Sequence, residues 1–361
     1  MKNIMKIIVA LFTSISLISS VNAGELTVTG TAKATYNIIT GGTLGATAAK
    51  SIGVANEMEF GASGELDNGW SWTYNIGFDP GETTNNGGVD DSSLALTTGF
   101  GTIGVFVSEG ALDVDNAASQ SVYGRPSDIG LATGMADGPA ISSFNNLQYH
   151  LPAGLLPFGT TFKAAYATGQ QGTFNSANAS SSAAVDGFGD TAEQYQITTS
   201  PIEGLKVFAD YYRESGATTF VVQEYEAGSI AATYAMGPAK FGISRTLRAP
   251  LIKGTSATDT AITNNSTAGG NADSVRLYTS NKYSVAFNVN ENLSVSYEME
   301  KSNREKIANE TTESDIEASA IQAAYTMGGM TLAVSHGKTD NVGYTANNDV
   351  EQTLFAVTMA F

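Results

Sequence analysis

The chain has 361 residues with a net charge of −17 at pH 7, 39 glycines, 31 Tyr and Phe residues and no cysteine. The acidic surplus argues against nucleic-acid binding, which needs clustered Lys and Arg. Many Gly and aromatic residues with few prolines are typical of numerous strands joined by turns, and without disulfides a large hydrogen-bonded sheet must supply the stability.

The first 23 residues have the pattern of a cleaved signal peptide. Lys2 and Lys6 give a positive start, residues 7–18 are apolar, and Ala23 ends a small-residue cleavage site. The alternative is an uncleaved anchor helix, but the apolar stretch is too short to span a bilayer comfortably. Removing 1–23 leaves 16 basic and 35 acidic residues, so the mature net charge is −19.

The mature chain opens with a long alternating segment, residues 26–38. Apolar residues fall on even positions, including Leu26, Val28 and Tyr36, while the odd positions carry Thr, Lys33 and Asn37. A period of two indicates a strand with one apolar and one wet face. Soluble domains have strands of about 5–6 residues, whereas a tilted membrane strand needs about 9–11.

The next two predicted strands, 57–66 and 70–78, repeat this alternation on either side of a tight turn at 67–69. Trp70 and Trp72, the two tryptophans of the chain, lie beside that turn, as in an interfacial aromatic belt. A soluble protein that exposed this apolar face would aggregate, so lipid is its simplest cover.

Alternation followed along the whole chain predicts sixteen strands, those near 92–98, 191–200 and 224–236 being the weakest. Their connections alternate between short and long, as in outer-membrane barrels with short periplasmic turns and long external loops. Short connections lie near 67–69, 99–101, 152–159, 201–204, 237–238, 290–292 and 328–329; long ones lie near 40–55, 79–91, 109–144, 169–190, 214–223, 249–274, 302–314 and 339–349.

The sequence therefore predicts an all-β protein: one transmembrane antiparallel β-barrel of sixteen strands over residues 24–361. A barrel of this size is too wide for side chains to fill, so an aqueous channel is expected. The third external loop, 109–144, is the longest connection at 36 residues. Structureless loops of that length usually have a function.

Short motifs of the chain resemble the general trimeric porins of Gram-negative outer membranes. They are residues 99–104 (GFGTIG), residues 145–152 (NNLQYHLP) and the terminal Phe361. At His150-Leu151 the chain departs from the family, which more often has an acidic and a small residue there. The resemblance implies a homotrimer, an assembly signal at Phe361, and a loop 109–144 that folds into the barrel and narrows the pore.

The resemblance also implies that acidic loop residues face basic residues across the pore. The acidic loop residues are Glu109, Asp113, Asp115 and Asp128, with Asp137 as a further member, and Arg125 is the basic loop residue expected at the constriction. The bases on the barrel wall are Lys33, Lys163 and Lys206. Alternation places Glu57 and Glu59 on the inward face as well. The alternatives are that the lysines are ordinary solvent-exposed residues of the barrel wall and that the acidic residues belong to a solvated loop without a role in the pore.

These features predict a porin that passes ions and small hydrophilic solutes by diffusion, with mild cation selectivity. A substrate-specific channel and a plugged structural or adhesive barrel that acts through its outer loops remain alternatives. No enzymatic activity and no cofactor are expected. Acidic loops, Asp90 and Asp91 among them, are candidate calcium ligands, because hard cations favour carboxylates. The expected partners are outer-membrane lipid and lipopolysaccharide.

Overall fold

The computed structural model describes residues 25–41, 49–78, 89–128, 134–168, 191–215, 221–253, 275–306 and 314–361. The predicted signal peptide, 1–23, and the side chain of Asp90 lie outside the described residues. No helix in the described ranges is long and apolar enough to span a membrane.

The described residues form eighteen strands, sixteen of which close into one antiparallel barrel. The barrel order is β1-β18-β17-β16-β15-β14-β12-β11-β9-β8-β7-β6-β5-β4-β3-β2. The strands are β1 (Glu25–Gly41), β2 (Ala49–Glu65), β3 (Ser71–Phe78), β4 (Val89–Thr98), β5 (Gly101–Val107), β6 (Asn146–His150), β7 (Thr161–Ala167), β8 (Thr191–Ile202), β9 (Leu205–Ser215), β10 (Val221–Gln223), β11 (Glu226–Met236), β12 (Ala239–Ala249), β13 (Ile252–Lys253), β14 (Val275–Asn288), β15 (Leu293–Lys306), β16 (Ile316–Met327), β17 (Met330–Asp340) and β18 (Val350–Ala360).

Side-chain alternation sorts each strand into an outward apolar face and an inward polar face. On β15, outward Tyr297 is 46% exposed, whereas the next residue, Glu298, points inward and is 1% exposed. Large apolar side chains also stand exposed on the outside of other strands, such as Ile52 and Ile321. The period-two pattern read from the sequence is therefore the pattern of the barrel.

The barrel closes between its first and last strands. β1 and β18 pair from Thr31 opposite Ala360 to Gly41 opposite Val350. Gly30 and Phe361 continue this ladder: the Gly30 N–H donates to the Phe361 carbonyl at 2.9 Å, and the Phe361 N–H donates back at 3.0 Å. Closure leaves no edge strand within the barrel.

The predicted strand count and the seven short connections are confirmed, and the weak predictions match β4, β8 and β11. Several loop boundaries were wrong. β2 begins at Ala49, inside the predicted loop 40–55, because its external half pairs with β1 although its sequence alternates poorly. β15 likewise continues to Lys306, inside the predicted loop 302–314.

Two predicted loops also contain strands of their own. β10 and β13 pair with each other outside the barrel, within the predicted loops 214–223 and 249–274. Each has three residues or fewer. Such short segments carry no measurable periodicity, which is why the sequence did not reveal them.

Candidate functional site: a loop along the inner wall

The described parts of the long loop, residues 109–128 and 134–144, lie inside the barrel. Its outgoing limb, 109–128, runs along the inner wall from β6 toward β18, and its return limb, 134–144, comes back to β6. Both limbs are held by residues on the inward face of the strands. The loop thus forms a second layer inside one sector of the barrel.

Apolar packing fixes the base of the loop. Leu112 and Ile141, one from each limb, are 1% and 0% exposed and pack with Phe144 against small residues of β7 and β8. The Ile141 N–H donates to Gln194 Oε1 at 2.8 Å. Alanines on these strands leave the space into which the loop side chains fit.

Polar contacts fix the middle of the outgoing limb. Ser119 Oγ and Ser121 Oγ donate to Glu298 Oε2 at 2.5 and 2.7 Å. Ser284 Oγ donates to the Ala118 carbonyl at 2.8 Å. A Cβ added to Gly242 of β12 would overlap that same carbonyl, so the backbone of the loop lies directly on the barrel wall.

The tip of the outgoing limb reaches the last strands. The amide of Gln322 on β16 accepts the Tyr123 N–H at 3.0 Å and donates to the Gly124 carbonyl at 2.5 Å. Val122 and Tyr123 pack on buried Leu354 and neighbouring alanines of β16–β18. The loop therefore covers the wall as far as β18.

A buried lysine joins the two limbs to the wall. Lys282 of β14 is 3% exposed, and its Nζ lies 2.8 Å from Asp137 Oδ1 and 3.5 Å from Asp115 Oδ2. It also donates to Asn116 Oδ1 at 2.5 Å. The two limbs also contact each other directly: the Gly138 N–H of the return limb donates to Asp115 Oδ2 of the outgoing limb at 3.1 Å.

Arg125 is the second cation of this cluster. Its Nη2 lies 2.7 Å from Asp128 Oδ1 and 3.5 Å from Asp137 Oδ2, and its Nη1 lies 3.5 Å from the buried Glu300 carboxylate. Burial opposes ionisation of Asp137, yet Lys282 and Arg125 together lower the pKa of its carboxyl. Asp137 therefore stays charged and bridges the two cations.

Asp113 has the opposite environment. Burial, then the hydrogen bond and charge of Asp115, raise the pKa of Asp113 to about 7. Asp210 of β9 adds further negative charge nearby, and its Oδ1 accepts the Val114 N–H at 3.2 Å. Near neutral pH the Asp113 carboxyl therefore carries a proton for part of the time.

The opposite sector of the inner wall is uncovered. Lys33 on β1, Glu57 and Glu59 on β2, and Thr73 on β3 are inward-facing and exposed. Lys33 Nζ lies 5.8 Å above the Tyr123 ring at the tip of the loop. The polar side chains of this sector are therefore accessible from the lumen.

The other predicted site residues lie at separate places. Asp115 is 1% exposed, so its charge is taken up by Lys282 rather than presented to the open lumen. Glu109 and Lys163 are half-buried, Lys206 is exposed toward the periplasmic end, and Asp128 is exposed beside Arg125.

The candidate calcium ligand Asp91 faces inward over Gly77. The described residues contain no group of three or more His, Cys, Asp or Glu that could hold a metal.

The sequence did not single out Lys282, Asn116 or Tyr123. Lys282 lies on the inward phase of a strand whose neighbours Tyr283 and Val285 face outward, so alternation alone could have placed it in the lumen. Its contacts with loop residues more than 140 positions away have no sequence signal.

No family model and no curated protein matches the sequence. Solved structures do match its fold. An anion-selective porin from Comamonas acidovorans matches with a TM-score of 0.67 at 11% identity, over 94% of this chain and 100% of that one. A refined porin structure matches with 0.63 at 15% identity, over 93% and 100%. OmpF of Salmonella typhi with daunomycin matches with 0.63 at 14% identity, over 94% and 98%. At such identities the likeness shows the fold: a sixteen-stranded barrel of the porin type.

Proposed function

We propose that this barrel is a water-filled channel through which ions and small hydrophilic solutes diffuse across the outer membrane of a Gram-negative bacterium. The observation that carries the proposal is the uneven lining of the lumen. The loop covers the wall between β6 and β18, while inward polar side chains on β1–β3, such as Glu57 and Thr73, stay exposed. We infer from this lining that the loop narrows the lumen without filling it.

The outer surface supports a membrane location. Ile52, Val54 and Ile321 are 83%, 63% and 62% exposed on the outside of the barrel. Water disfavours such a surface, whereas lipid does not. A closed barrel satisfies all of its strand hydrogen bonds internally, which is the condition for crossing a bilayer.

We propose mild cation selectivity on the basis of charges in the open sector. Glu57, Glu59 and Glu65 lie on the inward phase of β2, and these three acidic side chains outnumber the inward Lys33 of neighbouring β1. Charges that border a narrow passage act at short range and in a lower dielectric than bulk water. The anion selectivity of the Comamonas acidovorans porin is a property of that protein.

The assembly we propose is a homotrimer in contact with lipid and lipopolysaccharide, with calcium held by acidic external loops. Outward Ala32 and Ala34 on β1 allow close approach of a neighbouring subunit. Transport needs no bond to be made or broken, so no catalytic residue is assigned.

Single-channel recording tests the proposal. Detergent-purified protein in a planar bilayer should give stable current steps in salt, grouped in threes, with a reversal potential across a salt gradient that favours cations. Stably inserted but silent barrels would reject the channel and move the function to the outer loops. A reversal potential that favours anions would reject the selectivity alone.

A further inference from the structure

A row of alternating arginine and tyrosine side chains lies at the external end of the lumen. Arg248 of β12, Tyr278 of β14 and Arg304 of β15 stand directly opposite one another in the strand register, on the inward face. Tyr225, just before β11, extends the row on one side, and Tyr344, between β17 and β18, extends it on the other. We call these five residues the arginine–tyrosine row.

The members of the row stack on one another. The Arg248 guanidinium carbon lies 5.4 Å from the ring centroids of both Tyr225 and Tyr278. The Arg304 guanidinium lies 4.5 Å from the Tyr344 ring, whose centroid is 6.1 Å from that of Tyr278. A guanidinium over a ring face is attracted by the negative face of the π-system. The row is thus held in place before any solute arrives.

Arg248, which lies between Tyr225 and Tyr278, has no acidic side chain as a partner in the described part of the chain. Its Nη1 donates to the Asp137 carbonyl at 3.2 Å, and its Nε–H is buried without a hydrogen-bond partner among the described residues. No carboxylate in the described ranges forms an ion pair with Arg248. Tyr225, Arg248 and Tyr278 are half-buried, so part of each still faces the lumen.

Position and chemistry together indicate a ligand class. Guanidinium groups bind carboxylates and phosphates, while tyrosine offers a flat apolar ring and a hydroxyl. Neighbouring strands are about 4.8 Å apart, so the two arginines lie about 10 Å apart along the wall with Tyr278 between them. This arrangement offers a small ring the tyrosine side chain and offers its carboxylate a guanidinium on either side. We propose that the row is an external binding site for ring-shaped anions such as cyclic sugar acids. This inference rests on the proposed channel function.

Three matched probes separate the parts of this proposal in single-channel recordings. Glucuronate has a ring and a carboxylate, glucose has the ring alone, and gluconate has the carboxylate on an open chain. Glucuronate should produce more current noise and partial block than either, and more strongly from the side of the long loops. Equal effects of all three probes would overturn the proposal.

Variants then assign the effect to the row. Arg248→Gln and Tyr278→Leu should each weaken glucuronate block about tenfold, since each removes a charge-assisted or stacking contact. Arg245→Gln is the matched control, because Arg245 lies on the outward face of the same strand and should change nothing. Unchanged block in both row variants would mean that the row only stiffens the wall. Salt conductance without solute tests the channel itself, so the failure of the two proposals can be told apart.

Discussion

The Lys282 ammonium, buried on the inner wall of β14, lies 2.8 Å from a carboxylate oxygen of Asp137 in the return limb of the loop. This pair joins a barrel strand to the loop that narrows the lumen. Removing one partner of a buried ion pair leaves the other charge unpaired, which costs about 3–5 kcal/mol. Lys282 therefore contributes to holding the loop against the wall, together with the apolar base and the polar contacts of the outgoing limb.

Lys282→Met should loosen the loop from the wall. The variant leaves Asp115 and Asp137 without their shared cation, so we expect larger open-channel current fluctuations and closure at lower voltage. Single-channel noise and the critical closing voltage provide the measurement. Lys338→Met, which replaces a lysine that is 47% exposed on its side chain, should behave as the parent. Identical noise in the two variants would contradict the proposed role of Lys282.

The carboxyl pair of Asp113 and Asp115 predicts a pH dependence. The pKa of Asp113 is raised from its ordinary 3.8 to about 7, so the folded loop retains a proton that an unpacked loop would lose. The contribution of protonated Asp113 to the stability of loop docking is fully present below about pH 4, and it declines as the pH rises to about 7.

Open-channel noise should therefore increase between pH 4 and pH 7 in the parent. Asp113→Asn cannot ionise, so most of that increase should disappear in this variant. Asp128→Asn replaces an exposed loop carboxylate and serves as the control. A pH profile that is the same in Asp113→Asn and in the parent would count against the shared proton.

The exposed glutamates of β2 should control ion selectivity. In the double variant Glu57→Gln/Glu59→Gln, the ratio of cation to anion permeability should fall about two- to threefold, because two charges beside the open passage are lost. The reversal potential across a salt gradient measures this ratio. Glu351→Gln removes a charge from the outward face of β18 and should leave it unchanged. An equal shift in the control would assign selectivity to the total charge of the protein.

The close approach of Gly30 and Phe361 should matter for assembly. A Cβ added to Gly30 would lie 2.7 Å from the Phe361 ring and 2.8 Å from the Glu57 carbonyl oxygen. Gly30→Ala should therefore strain closure by about 1–3 kcal/mol and lower the yield of folded barrel in gel-shift assays. Gly53→Ala is the control, since its added Cβ meets nothing within 4 Å. Equal yields would show that the ring simply moves aside.

The barrel was predictable because its signal is local. Each strand carries its own alternation, as in Leu26 to Ile38, and the polar phase placed Lys33, Glu57 and Glu59 on the inward face. The start of β2 at Ala49 was not predicted, because the first part of that strand lacks an alternation of its own. That part of β2 is held by pairing with β1 rather than by its own pattern.

The site was predictable only in outline. The length of the loop marked it as functional, and its acidic residues were visible as a set. The sequence could not show which of these acidic residues has its charge neutralised by a cation. Asp115 and Lys282 are far apart in sequence, and their contact depends on the path of the whole loop. The arginine–tyrosine row has the same origin, since it is built from five separate strands and loops that only the closed barrel brings together.

Because the loop thickens the wall between β6 and β18, the proposed passage would lie off the barrel axis, beside β1–β3. This route would border the seam between β1 and β18. A travelling solute would then touch the strand on which the Gly30–Phe361 contact depends. Substitutions near that seam that spare folding should still alter permeation. The two seam strands, β1 and β18, would then serve both barrel closure and solute passage.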